Sequence, residues 1–245
     1  MTRLARRESK SGYMHVIVRG IGKQVLFESR EDYGLYISLL EKYSRETEVM
    51  VCAYCLMENH VHLLLMGSIG QIALLMKKLG VAYAHYFNEK NERTGHLFQD
   101  RYLSEPVETE SYLMNVFRYI LQNPQKAGTC LTDEYEWSSY YEYGVRYSFV
   151  DTSVLEGLIG DWDDYEKFMM TDDPRRYMEF EHFRRDDDWA LGIIRDSLNM
   201  ESGTELQRLG REARDECLRE LKSKGLSIRQ IERLTGISRG VIYNA

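Results

Sequence analysis

Two strand-like segments that nearly touch along the chain constrain the fold more than any other feature. Residues 49–56 and 60–66 are dominated by apolar side chains, and only the turn at 57–59 separates them. So short a connection joins antiparallel neighbours, because parallel strands need a long crossover. The pair therefore predicts an antiparallel hairpin, and the leucines of its second half predict a buried central strand.

Helical patterns flank this hairpin on both sides. Apolar side chains recur at helical spacing over 31–46 and over 69–90, which predicts two amphipathic helices. Residues 13–19 alternate and are β-branched, which predicts a strand. Residues 95–108 predict another strand, with a proline near its end.

A third helix is expected from Thr109 to Asn123. Thr109 is a suitable N-cap residue, and Pro124 should stop the helix because the residue before proline avoids the α region. The order βαββαβα predicts an α+β fold, a ferredoxin-like sandwich with its helices on one face of an antiparallel sheet. We expect this domain to occupy residues 1–145.

The rest of the chain has the composition of helices. We expect an acidic helical connector over 146–207 and a helix-turn-helix-like DNA-binding region over 208–245. In the latter, Ser227 and Ser238 would cap two helices around a turn at Gly236. Glu232 departs from that pattern, since a small residue normally packs between the two helices. Two ordinary packed helices are the alternative.

Charge is distributed unevenly over the 245 residues, whose net charge is −7. Residues 1–30 carry seven Lys/Arg against two Glu, whereas 151–207 carry six against sixteen Asp/Glu and 208–245 carry nine against five. Two basic ends therefore flank an acidic middle, which is weak evidence for a nucleic-acid partner. No apolar run approaches the roughly 20 residues that span a bilayer, and no signal core is evident, so we expect a cytoplasmic protein without membrane contact.

His60 and His62 stand at the start of the second hairpin strand. Residues i and i+2 of a strand point to one face, so two imidazoles should project together while Val61 points to the opposite layer. We expect both rings to be partly exposed. A rigid strand end suits metal ligands, but a histidine pair on a strand is more often structural, and spacing alone leaves both interpretations open.

Tyr119 and Asn123 are four residues apart and should share one face of the third helix. A phenol hydroxyl and an amide oxygen would then project together. Tyr112, two turns earlier on the same helix, is the natural competitor for any role of Tyr119.

Several linked motifs within residues 10–145 closely resemble the REP-associated tyrosine transposases, members of the single-tyrosine HUH transposases of bacterial insertion sequences. The motifs are YMHVIVRG, AYCLMENHVHLLL, AYAHYFNEKNERTGHLFQDRY and YILQNPQKAG, in this order. Two positions depart from the common form. Glu58 stands where the motif has proline, and Asp100 stands where glycine is frequent before Arg101.

The resemblance implies an HUH endonuclease domain that cuts and rejoins single-stranded DNA at hairpins or repeats. Tyr119 would attack a backbone phosphorus and form a 5′-phosphotyrosine. His60, His62 and Asn123 would hold Mg²⁺ or Mn²⁺, with Gln122 as an alternative third ligand. The protein would be a monomer or a homodimer.

DNA contacts are expected from basic residues in three parts of the chain. The candidates are Arg6, Arg7, Arg19, Lys23, Arg101, Arg229 and Arg239, the last two reaching duplex DNA from the C-terminal region. Two other functions compete with the transposase: a domesticated, non-cleaving DNA-binding regulator, and a replication initiator or relaxase-type nickase. A non-cleaving binder would need none of His60, His62 and Tyr119.

Overall fold

A computed structural model describes residues 7–171, 177–178, 187–200 and 202–245, without the side chains of 187–189. The chain divides into two compact units, one ending at Met178 and the other beginning at Glu179. The segment 146–207, expected to be a separate connector, is thus divided between the two units. No helix of the described part is long and apolar enough to cross a membrane.

The first unit contains the predicted hairpin, with a helix before it and a helix after it along the chain. Its strands are β1 (Tyr13–Arg19), β2 (Met50–Met57), β3 (His60–Met66) and β4 (Leu103–Pro106). Its helices are α1 (Arg30–Thr47), α2 (Ile69–Lys90), α3 (Glu110–Leu121), α4 (Asn123–Lys126), α5 (Ser153–Ile159) and α6 (Trp162–Met169).

The four strands form one antiparallel sheet in the order β2-β3-β1-β4. With the order of elements along the chain, this arrangement confirms the predicted α+β, ferredoxin-like fold. The histidine strand β3 is central, paired on both edges. Ile17 of β1 lies opposite His62, and Arg19 lies opposite His60, so the end of β1 comes close to the histidine pair.

The helices cover both faces of the sheet, whereas the sequence predicted them on one face. Helices α1 and α2 pack on the face that carries Val61 and Leu63, and α3 packs on the opposite face against Leu64. The cause is the distribution of apolar residues within the strands. Both faces of β2 and β3 are buried, so each face needs a covering layer.

Two element boundaries also differ from the sequence prediction. Strand β4 has four residues instead of spanning 95–108, and Phe98 makes only an isolated bridge with Gly20. Helix α3 begins after Thr109, whose hydroxyl accepts a hydrogen bond from the Tyr112 amide. It ends at Leu121, and Pro124 then sits in the first turn of α4, where its missing N–H costs little.

The chain beyond residue 145 continues to build the first unit. Tyr165 of α6 is fully buried and stacks on Tyr143, with ring centroids 4.1 Å apart. Leu155 of α5 belongs to the same apolar cluster as Phe117 of α3. These contacts fix the outer side of α3, so α5 and α6 help to hold the helix that carries Tyr119.

The second unit is a small helical bundle with its own core. Its helices are α7 (Asp187–Leu198), α8 (Arg211–Ser223), α9 (Ile228–Thr235) and α10 (Arg239–Asn244). Ser227 and Gln230 cap α9 reciprocally, and Gly236 ends it with φ +71°. The predicted positions of Ser227, Gly236 and Ser238 around two short helices are therefore present.

Candidate active site

The histidine pair lies at the start of β3, on the face that α3 covers. The rings of His60 and His62 have centroids 4.9 Å apart at an interplanar angle of 76°, while Val61 enters the opposite core. The expectation of two partly exposed rings is wrong for His62, which is only 2% exposed. His60, half-buried, opens toward the solvent.

Each of the two rings has its Nδ1 atom engaged. His60 Nδ1 lies 2.8 Å from Oδ1 of Asn59, and His62 Nδ1 lies 3.1 Å from Nε2 of His15 on the neighbouring strand. Partners at Nδ1 fix the orientation of an imidazole and direct its Nε2 elsewhere. The structure thus places the ring of His15, on strand β1, directly against His62.

Burial favours the neutral forms of His15 and His62. It lowers the pKa of His15 to about 3. Burial, followed by the nearby His60 and His15 rings, lowers the pKa of His62 well below the usual 6.5. Neutral imidazole is the form that binds metal ions, so His62 has the protonation state that a metal ligand needs at neutral pH.

Helix α3 brings Tyr119 to the histidines. Its ring centroid lies 5.7 Å from that of His62 and 5.9 Å from that of His15, edge-on to both. Tyr112, the competitor on the same helix, instead stacks on Tyr177 at 6.1 Å. The geometry therefore distinguishes two tyrosines that periodicity could not.

The side chains of the two candidates for a third ligand are held by different backbone oxygens. Asn123 Nδ2 donates to the backbone oxygen of Tyr119 at 2.8 Å, which leaves the amide oxygen as the end able to ligate. Gln122 Nε2 donates to the backbone oxygen of Met169 at 2.7 Å, so its side chain is held against the end of α6. The amide oxygen of Gln122 is likewise left over, buried without a hydrogen-bond partner among the described residues. Asn123 stays the predicted third ligand, with Gln122 as the alternative.

The donor set is compatible with a divalent cation. Among the described residues, no group of three or more His, Cys, Asp or Glu is placed to hold a metal ion. Any site at His60 and His62 therefore has to be completed by an amide oxygen, a phosphate or water. Two imidazoles with oxygen donors are a set that Mn²⁺ and Mg²⁺ accept.

The predicted DNA-contact residues lie in different places. Arg19 is buried, directly opposite His60 across the β1–β3 pair. Lys23 is exposed just after β1. Arg101, with Lys77, instead lines a cavity of about 330 Å³ whose wall includes Val18 and Met76 from the α1–α2 side of the sheet.

The remaining candidates are at or near the two ends of the chain. Arg7 is exposed, and Arg6 lies outside the described residues. In the second unit Arg229 and Arg239 are both exposed, and Nε of Arg239 pairs with a Glu232 carboxylate oxygen at 2.5 Å. Glu232, whose size was unexpected between the two helices, thus reaches outward to the first turn of α10.

Two residues beside Tyr119 were not singled out from the sequence. Tyr177 stacks on Tyr119 with centroids 4.5 Å apart, and Nζ of Lys126 lies 4.9 Å from the centre of the Tyr119 ring. Tyr119 is consequently only 4% exposed. The spacing of seven residues from Tyr119 to Lys126 was a usable signal, whereas nothing local points to Tyr177.

The comparison with protein families matches this region. Residues 8–123 match the family described as "Transposase IS200 like". They contain the whole sheet, the histidine pair, α3 and Asn123. This region of the chain is therefore similar to the IS200-like transposases.

One solved structure supports the fold described above. A REP-associated tyrosine transposase bound to a REP hairpin has a TM-score of 0.52 at 15% identity, covering 73% of this chain and 100% of that one. A predicted transposase from Deinococcus radiodurans R1 covers 49% of this chain and 92% of its own, at 18% identity and a TM-score of 0.34, too low to bear on the fold. No curated protein matches the sequence significantly. The resemblance inferred from the motifs is confirmed.

Proposed function

We propose that this chain cleaves and rejoins single-stranded DNA through a covalent link between Tyr119 and a 5′-phosphate. The observation that carries the proposal is the position of the Tyr119 ring, edge-on to His62 at 5.7 Å. A tyrosine on one element and a histidine pair on another meet on one face of the sheet. A DNA phosphate could then lie between the proposed nucleophile and the proposed metal ligands, as the attack requires.

The chemistry is two successive transesterifications. The Tyr119 hydroxyl oxygen forms a bond to phosphorus as the bond from phosphorus to the 3′ oxygen breaks, and the phenol proton is released while the 3′ oxygen takes one up. A 3′-hydroxyl later attacks the phosphotyrosine and restores the phenol. The number of phosphodiester bonds is unchanged, so rejoining needs no ATP.

A tyrosine with its ordinary pKa of about 10 is a weak nucleophile at neutral pH. A divalent ion, Mg²⁺ or Mn²⁺, held by His60, His62 and Asn123 would supply Lewis-acid stabilisation of the phosphate charge. Arg19 opposite His60 and Lys126 beside the Tyr119 ring add positive charge from this chain. Both are suited to hold the DNA backbone during the attack.

Hairpin DNA is the substrate that the likeness to a hairpin-bound transposase supports. We propose a hairpin with a single-stranded flank, bound in the cytoplasm by a monomer or a homodimer. The hairpin would orient the flank, and the flank would place one phosphate at Tyr119.

We further propose that the second unit binds duplex DNA. Helix α10 exposes Arg239, Val241 and Tyr243 and buries Ile242, as a helix that reads a groove would. Replacing Arg229 and Arg239 with Gln should weaken duplex binding and lower its salt slope by about two. Arg211→Gln, a change at an exposed arginine of α8, is the matched control. An unchanged slope in the double variant would assign α9 and α10 to packing.

The decisive experiment uses hairpin DNA drawn from the flanks of the gene, incubated with the protein and Mn²⁺. A denaturing gel should show a covalent protein–DNA adduct and a fragment with a free 3′ end. Tyr119→Phe should form no adduct, and Tyr112→Phe, which removes the same atom from the competing tyrosine, should form as much as the unaltered protein.

The competing functions give different gels. Hairpin binding without any adduct would indicate a non-cleaving regulator. A nick without rejoining of the strands would indicate an initiator-type or relaxase-type nickase. The first outcome would contradict the proposal for Tyr119, and the second would contradict the proposed rejoining of the strands.

A further inference from the structure

His15 is a buried group that the proposed chemistry leaves without a role. The residue is fully buried on β1, and its Nε2 lies 3.1 Å from Nδ1 of His62. The two rings are nearly parallel, 20° apart, with centroids separated by 5.4 Å. Two neutral imidazoles at this distance share one hydrogen bond, so one ring donates and the other accepts.

The direction of that bond decides what His62 can offer. If His15 donates, His62 accepts at Nδ1, so its own proton sits on Nε2 and no lone pair remains there for a metal ion. If His62 donates from Nδ1, its Nε2 keeps the lone pair. The two tautomers share the same heavy-atom positions and differ only in this property.

His60 provides the reference for this choice. Its Nδ1 lies 2.8 Å from the amide oxygen of Asn59, which can only accept. His60 therefore carries its proton on Nδ1 and presents the Nε2 lone pair. For His62 to present the same atom, His15 has to be the acceptor.

If His15 accepts from His62, it carries its own proton on Nδ1. Glu105, on the neighbouring strand β4, is the candidate to accept a hydrogen bond from this N–H. Within the described residues His15 Nδ1 is buried without a hydrogen-bond partner, and so is Glu105 Oε2. Glu105 of β4 lies directly opposite His15 in the β1–β4 pair. Directly opposed residues of an antiparallel pair share a face with Cβ atoms about 5 Å apart. A donor and an acceptor, both buried and unmatched, are thus neighbours on one face.

We propose that Glu105 and His15 are positioning residues that set the tautomer of His62. Glu105 accepts from His15 Nδ1–H, His15 Nε2 accepts from His62 Nδ1–H, and His62 Nε2 is left with its lone pair directed away from this chain of bonds. The arrangement extends the carboxylate–histidine pairing found behind many metal ligands by one imidazole. This proposal rests on the proposed role of His60 and His62 as ligands.

The tautomer can be measured without metal or DNA. Long-range ¹H–¹⁵N spectra of the full chain with ¹⁵N-labelled histidine distinguish a protonated nitrogen from a bare one in every ring. We expect His62 to be protonated at Nδ1 and bare at Nε2. A proton found on Nε2 of His62 would overturn the proposal, whatever the protein does to DNA.

Variants test whether the tautomer matters for binding Mn²⁺, measured by calorimetry on the folded protein. His15→Phe keeps a ring but removes the acceptor, and should weaken Mn²⁺ binding by about 10- to 100-fold. His15→Gln places an amide oxygen near the position of Nε2 and should restore most of that loss. Equal weakening in both variants would mean that His15 acts only through packing and would overturn its assignment.

Glu105 has its own matched pair of variants. Glu105→Gln keeps an acceptor oxygen and should leave Mn²⁺ binding within about threefold of the unaltered protein, whereas Glu105→Leu should weaken it toward the lower end of the same range. Similar affinities for both variants would remove Glu105 from the proposal. Failure of the unaltered protein to bind Mn²⁺ would instead contradict the metal site, and the spectra would still decide the tautomer.

Discussion

The two faces of strand β3 differ in kind although they alternate along the same seven residues. One face presents Val61, Leu63 and Leu65, all fully buried in the apolar core beneath α1 and α2. The other begins with His60 and His62 and meets α3. The period of two in a strand thus lets one segment contribute to stability on one side and to a reactive site on the other.

The contributions of the two faces to stability and to DNA cleavage should therefore be separable by mutation. Side chains toward α1 and α2 contribute chiefly through burial, so their loss should reduce the free energy of unfolding. Side chains toward α3 contribute through polar atoms, so their loss should reduce DNA cleavage. The following changes test how cleanly the faces divide.

The largest effect is expected on the face of β3 that carries His60 and His62. His60→Ala removes a proposed ligand that is only half-buried, and should reduce adduct formation on hairpin DNA by about 10³-fold with little change in the thermal midpoint. Glu58→Ala, an exposed carboxylate in the same turn, is the control and should retain activity. Full activity of His60→Ala in the presence of a chelator would remove the metal ion from the account.

The next effect is on the opposite face. Leu63→Ala should lower the free energy of unfolding by about 2–5 kcal/mol, because Leu63 is fully buried and the truncation leaves a cavity. Urea melts measure the change. Adduct formation per folded molecule should be close to that of the unaltered protein, and a large loss there would show that the two faces are coupled.

Acid should destabilise the protein through His15, which lies beside His62 on the same face of the sheet. The pKa of His15 is about 3 in the folded chain against 6.5 when unfolded, so between these values the unfolded chain binds more protons. The contribution of neutral His15 to the free energy of unfolding is therefore fully present above about pH 6.5. It is lost as the pH drops, by up to about 1.4 kcal/mol per pH unit for this histidine. Urea melts from pH 7 to 4 should show a steeper decline for the unaltered protein than for His15→Phe. If the free energy of unfolding fell equally with pH in both proteins, the lowered pKa of His15 would be contradicted.

The smallest effect concerns access to Tyr119. The stack of Tyr177 on Tyr119 holds the proposed nucleophile at 4% exposure, and such a stack contributes about 0.5–1.5 kcal/mol. Tyr177→Ala should therefore increase the rate of adduct formation by roughly 2- to 10-fold. Tyr177→Phe keeps the ring and should leave the rate unchanged. A slower reaction in Tyr177→Ala would mean that the ring supports the active geometry instead of covering it.

Sequence periodicity was sufficient for helices α1 and α2, for the β2–β3 hairpin and for the shared face of the histidine pair. Alternation predicted that Val61 and His62 point to opposite layers, and the apolar spacing of α2 gave its bounds, Ile69–Lys90. The covering of both faces was not predicted, because β2 and β3 are apolar on both sides and no spacing in α3 says which side it meets.

The parts of the site that depend on register or on distant chain segments could not be predicted. His15 meets His62 only because β1 pairs with β3 so that Ile17 lies opposite His62, and nothing in the sequence of β1 alone states that register. Tyr177 is separated from Tyr119 by more than 50 residues. Strand β4 is short because only four residues pair regularly with β1, a tertiary outcome that alternation does not encode.

Tyr119 is the residue that we propose forms the covalent bond to DNA. The most direct test is mass spectrometry of the adduct, trapped on hairpin DNA with Mn²⁺, trimmed with nuclease and digested to peptides. We expect a nucleotide phosphate on Tyr119, in the peptide that contains α3. A nucleotide on Tyr112, on Tyr177 or on any other residue would contradict it.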